Sequence, residues 1–104
     1  MVAKPAFKLI WDKRALNQLE DILDYLSTQS KDAPLIVKSA IVDRLEIIRK
    51  SPLVVESDKL KEPLNSNFRA FVVFNYRITY QIELDRTEIR ILRVRHTSRE
   101  PLGY

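Results

Sequence analysis

The spacing of apolar positions divides the chain into two halves with different periods. Residues 6–11, AFKLIW, form a short apolar run with one lysine and read as a first strand. Asp12 follows as a helix N-cap, its carboxylate expected to accept a first-turn amide hydrogen. Leu16, Leu19, Ile22, Leu23 and Leu26 then recur at helical spacing, which predicts a helix over about 13–29. The polar interval 27–32 breaks the stripe. Asp32 and Pro34 supply a cap and a first-turn proline for a second helix. Val37, Ile41, Leu45 and Ile48 are its apolar stripe, and Ser51–Pro52 should end it.

Residues 53–67 hold no regular period. From Phe68 the chemistry is that of strands. Phe68–Phe74 is aromatic and β-branched. In Tyr76–Leu84 the period is two: Tyr76, Ile78, Tyr80, Ile82 and Leu84 face one way, Arg77, Thr79, Gln81 and Glu83 the other. Asp85–Thr87 reads as a turn and Glu88–Arg95 as the last strand. The order β-α-α-β-β-β predicts a small α+β domain, with a helix hairpin packed on one face of a mostly antiparallel sheet and the other face partly open. Trp11, Tyr25, Phe71 and Phe74 lie within apolar patterns and are expected in the core, whereas Phe68 suits either the core or the surface.

At 104 residues the chain has the length of one domain, 1–104, with a single modest core. Nothing in it is apolar for long enough to cross a bilayer, and the N-terminal stretch lacks the form of a signal peptide. The absence of cysteine removes disulfide and thiolate chemistry and fits a cytoplasmic setting. With one histidine besides, no metal site and no cofactor are expected. The formal net charge is +4. Ten basic and nine acidic groups share residues 1–60, against eight and five in residues 61–104, where seven of the eight are arginine. Arginine is the side chain best shaped for bidentate contact with phosphate or carboxylate. The local excess therefore points to a polyanion or an acidic protein partner, or else to a solubilising surface.

Simple alternation places Arg77 on the open face, because Tyr76 and Ile78 must point into the core. It also places His96, the single histidine, on that face and within reach of Arg77 if the two strands pair as a hairpin. Arg93 and Arg95 have the opposite parity from His96 and would form a separate basic stripe, with Glu83 and Glu88 as possible ion-pair partners.

The element order, the YRITYQIE strand at residues 76–83 and the ending ILRVRHTSREP at residues 91–101 resemble the ParE/RelE superfamily of toxins from bacterial type II toxin–antitoxin (plasmid stabilization) systems. The resemblance spans nearly the whole chain. It implies a small basic toxin that arrests growth and is neutralised by a cognate antitoxin in a hetero-oligomer. Two targets occur in the superfamily. The ParE branch poisons DNA gyrase, and the ribonuclease branch cuts mRNA on the ribosome without a metal.

Ribonuclease chemistry needs a base, a phosphate-binding cation and an acid. Glu62, in Lys61-Glu62-Pro63-Leu64, resembles the glutamate of YoeB-type ribonucleases, Arg77 their phosphate-binding arginine, and His96 their acid. The match then stops. A tyrosine follows the histidine in those enzymes, and Thr97 stands here. The lysine pair of RelE-type enzymes is absent too, leaving Arg69 as the cation of its strand. The HTSREP ending is closer to ParE, so the resemblance favours gyrase inhibition over an endoribonuclease. Arg69, Arg93, Arg95 and Arg99 are then candidate contacts to nucleic acid or partner. A binding module without toxic activity is the third alternative.

Overall fold

A computed structural model of the protein describes residues 6–50 and 67–99, Arg99 by its backbone alone. Two helices, α1 (Lys13–Gln29) and α2 (Ala33–Lys50), follow a short strand β1 (Lys8–Trp11). Three strands complete the order: β2 (Phe68–Val73), β3 (Tyr76–Glu83) and β4 (Glu88–His96). The sheet runs β1-β4-β3-β2, antiparallel except that β1 lies parallel to β4. This is the α+β architecture that the two periods predict, and the helices cover one face.

Asp12 joins β1 to α1 through its backbone. Its N–H donates to Ile91 O at 2.9 Å, and its carbonyl accepts Leu16 N–H at 3.0 Å. The expected side-chain cap is not made: the Asp12 carboxylate accepts no first-turn N–H. At the other end of α1, Ser30 N–H donates to Leu26 O, and Asp32 N–H donates to Ser30 Oγ. The connection of residues 30–32 is too short for anything but an antiparallel hairpin. Arg49 and Lys50 in the last turn of α2 complement its C-terminal dipole. Phe7 N–H donates to Arg49 O at 2.8 Å and ties the approach to β1 to that helix end.

The core lies between the hairpin and the sheet. Val37, Ile41, Leu45 and Ile48 of α2 are all buried, as their spacing predicts. They meet Phe71, Ile78, Tyr80, Ile82, Ile89, Ile91 and Val94 from the sheet. Each fully buried isoleucine contributes roughly 1.5–3 kcal/mol.

Four expectations about the core are corrected. Leu84, expected to face inward with Ile82, is exposed, because β3 ends at Glu83 and Leu84 opens a 3-10 turn. In α1 the inward stripe is Ala15 and Leu19 with Ile22, Leu23 and Leu26 packed beside them, whereas Leu16 faces outward. Tyr25, one residue off that stripe, is exposed. Phe74 is exposed as well, because β2 ends at Val73 and the ring belongs to the turn that follows. Phe71 is buried and Trp11 packs against the core's margin, as expected. Phe68 is half-buried opposite Gln81, on the face of the sheet away from α1 and α2, which is helix-free among the described residues.

The register contains the decisive irregularity. Opposite Thr79 and Tyr80, β4 presents Arg93 and Ile91, so Leu92 is an extra residue with no partner on β3. Such a bulge inverts the alternation of everything beyond it. Ile89 and Ile91 before the bulge and Val94 after it are therefore all buried on the helix side. Simple alternation misplaces His96 for this reason: its cross-strand partner is Tyr76, a core residue, not Arg77. Glu83 and Glu88 face each other at the far end of the sheet, away from Arg93 and Arg95, so register does not make them partners.

Tyr80 sits in the sheet's centre with no exposed surface, and its hydroxyl has no hydrogen-bond partner among the described residues. Burial pushes its pKa up to about 12, with the nearby Arg69 and Arg44 guanidiniums pulling the other way. The folded state thus holds the proton more tightly than the unfolded chain, where the phenol titrates near ~10. The stabilisation is present below that value and is lost as pH rises through about 12. Alkaline titration followed by circular dichroism should show cooperative unfolding in that window, and Tyr80→Phe should move the loss of structure to higher pH. A midpoint unchanged in Tyr80→Phe would show that another group governs alkaline unfolding.

Candidate functional site

The helix-free face of the sheet gathers cations in rows set by register. Val72, Arg77 and Arg95 form one row, and Ala70, Thr79 and Arg93 the next. Phe68, Gln81, Arg90 and Ile10 form a third. Arg77, Arg90, Arg93 and Arg95 thus share one face and are all half-buried there. Arg77 and Arg95 are directly opposite each other. Like charges in that position repel each other. The arrangement suits bidentate recognition of carboxylate or phosphate.

Arg69 does not join this group. Its cross-strand partner is Tyr80, which puts it on the helix side. There Arg44 of α2 lies 5.9 Å from the Phe71 ring centroid, in cation–π contact. Phe71 and Tyr80 are 6.2 Å apart, centroid to centroid.

His96 belongs to a different surface, a trough between α1 and β4. β1 covers β4 only as far as Ile91, and beyond it Leu92–His96 has no neighbouring strand on that flank among the described residues. A side chain fills the gap: Gln18 Oε1 accepts the Val94 N–H at 2.8 Å. Around it opens a cavity of about 460 Å³, with Arg14 and Asp21 of α1 on one wall and Arg93, Arg95 and His96 on the other. A second cavity, about 280 Å³, adjoins it and is walled by Tyr25, Tyr76, His96 and Ser98.

The His96 ring stands edge-on to Tyr76, centroids 5.3 Å apart. Ser98 N–H donates to Nδ1 at 3.2 Å, and Ser98 Oγ lies 2.7 Å from the same nitrogen. A backbone N–H can only donate, so Nδ1 is the acceptor and the neutral ring carries its proton on Nε2.

The structure therefore separates residues that simple alternation would bring together. Arg77, Arg93 and Arg95 share the helix-free face, His96 stands with Tyr76 on the other, and Arg69 is at the helix side of β2. Arg99 ends a short 3-10 turn, Thr97–Arg99. Glu62 lies outside the described residues. Gln18, Asp21 and Tyr25 were not singled out from sequence as parts of a site. Their spacing along one side of α1 was the available signal, and it is indistinguishable there from an ordinary solvated helix face. No group of three or more histidine, aspartate or glutamate side chains suited to a metal occurs among the described residues. No helix of theirs is long and apolar enough to cross a membrane.

Comparison with known families matches residues 9–101 to the ParE toxin of the type II toxin–antitoxin system parDE. The chain belongs to that family. It is a toxin of the ParE/RelE kind, as its strand motifs and ending suggest. Among solved structures, it is similar to a chain of the chromosomal ParDE toxin–antitoxin system of P. aeruginosa, with a TM-score of 0.67 and 18% identity. The match covers 88% of this chain and 96% of that one. A chain of the RelBE2 toxin–antitoxin complex of Mycobacterium tuberculosis matches with a TM-score of 0.61 and 22% identity, over 88% and 91% of the two chains. At these identities the likeness is one of fold. No curated protein matches the chain.

Gln18 is the testable element of the trough. Replacing it with leucine leaves the Val94 N–H without its acceptor, and stability should fall by about 1–3 kcal/mol. Gln18→Glu keeps an acceptor oxygen and should stay close to the wild type. Chemical denaturation of the three proteins reads the difference, and equal midpoints would mean that the edge needs no clasp.

Proposed function

We propose that this toxin arrests growth by ParE-like inhibition of DNA gyrase and is neutralised by a cognate antitoxin with which it forms a hetero-oligomer. The observation that carries the reading is the register at the end of the sheet, where Arg77 pairs with Arg95 and His96 with Tyr76. A phosphate-binding arginine and a proton-donating histidine must reach one phosphodiester, and here they leave the sheet on opposite faces. Arg77 stands opposite Arg95 and not beside the histidine, which suits recognition more than bond cleavage. Support for the antitoxin comes from the family and from the two similar structures, both of toxin–antitoxin systems.

The alternative is a metal-independent, ribosome-dependent mRNA endonuclease. One observation favours it: His96 lines a cavity together with Arg93 and Arg95, a titratable ring beside cations able to hold a phosphodiester. In that case Glu62, Arg77 and His96 would be base, phosphate ligand and acid.

Purified protein assayed in parallel on gyrase supercoiling and on programmed ribosomes separates the two. Inhibition of supercoiling without mRNA cleavage is expected. Arg77→Ala should weaken that inhibition, whereas His96→Ala should leave it within about twofold of wild type. Cleavage that drops roughly 10²-fold or more in His96→Ala would instead establish the endonuclease.

A further inference from the structure

The tip of the β2–β3 hairpin is built in a way that folding alone does not account for. Val73 ends β2 and Tyr76 begins β3, so Phe74 and Asn75 form a two-residue turn. Turns of this length favour glycine, asparagine or aspartate where φ is positive. In this one the positive φ, 56°, falls on Phe74, and Asn75 does not adopt it. A bulky side chain in the left-handed region is a genuine outlier. Burial does not offset it, since 59% of the residue's surface is exposed. Sparsely populated backbone of this kind collects at functional positions.

The tip is held firmly. The Val73–Tyr76 pair closes it, and Thr97 N–H donates to Asn75 O at 2.8 Å, joining it to the end of β4. Beside it stands Val72, also exposed, in the same row as Arg77 and Arg95. An aromatic knob on a fixed turn and two guanidiniums are the residue types enriched at protein interfaces. Val72 offers nothing to a base or a phosphate but extends an apolar contact with a protein, and that favours a protein partner over nucleic acid.

We propose that Phe74 anchors the toxin to its protein target, entering an apolar socket whose rim carries carboxylates for Arg77 and Arg95. This rests on the gyrase reading and adds the surface through which the inhibition is exerted.

The test uses the full chain, wild type and with Phe74→Gly or Phe74→Asn, two residues that accept positive φ. Three quantities are read: thermal midpoint, inhibition of gyrase supercoiling, and affinity for a DNA oligonucleotide. Both variants should melt at or above the wild-type temperature, inhibit roughly 30-fold more weakly as expected for loss of a hot spot, and bind the oligonucleotide as the wild type does. Undiminished inhibition by the variants overturns the proposal. So does a lower midpoint in both, which makes Phe74 a structural residue. A loss of oligonucleotide affinity in step with inhibition overturns it in favour of a ring stacked on bases. Wild-type protein that leaves gyrase untouched overturns the gyrase reading and the anchor together, and is distinguished by the failure of the wild type itself.

Discussion

Strand β4 carries one residue more than β3 opposite Thr79 and Tyr80, and the two surfaces of the molecule depend on that excess. Without the bulge at Leu92, a strand that buries Ile89 and Ile91 would turn Arg93 and Arg95 toward the helices and Val94 toward water. Burying two guanidiniums beside α1 would forfeit their hydration with no carboxylate of the sheet opposite them. The bulge removes the conflict. Val94 completes the apolar layer, and the two arginines join Arg77 and Arg90 on the other side.

The same strand sets the limits of the fold. Among the described residues, β4 is flanked on both sides only through Ile91, because β1 is four residues long and passes directly into α1 at Asp12. The remaining length would expose backbone donors and acceptors along an edge. Gln18 answers part of this by accepting the Val94 N–H, a side chain standing where a strand would. Because α1 cannot follow the edge as closely as a strand does, space is left between them. Both cavities described here lie in that space, and His96 borders each.

Charge is arranged with the same economy. The sheet's acidic pair, Glu83 and Glu88, lies at one end of the helix-free face, and the row of Arg77 and Arg95 at the other. Lys8 stands beside Glu88 in the acidic row, so the positive charge of this face is concentrated at the Arg77–Arg95 end. The strained Phe74 turn is at the cationic end. The strands' apolar layer, which holds the molecule together, lies on the opposite face from the rows of Arg77, Arg93 and Arg95.

Much of this was legible in the chain. Repeats of Val37, Ile41, Leu45 and Ile48 and of Tyr76, Ile78, Tyr80 and Ile82 are local patterns, and they specified both element type and the buried face. The same parity placed Arg77 outward. His96, Tyr25 and Phe74 were misread for reasons that no local pattern contains. The face of His96 depends on how many β4 residues stand opposite β3, Tyr25 on how far α1 rolls over the sheet, and Phe74 on where the hairpin turns. Periodicity follows from the geometry of a single helix or strand, so the sequence by itself determined the elements, their apolar faces and the family. Register, bulge and edge are properties of pairs of strands. Only the tertiary structure decided which cations share a face and where the histidine stands, because pairing energy is set by the partner strand and not by the residue's own neighbours.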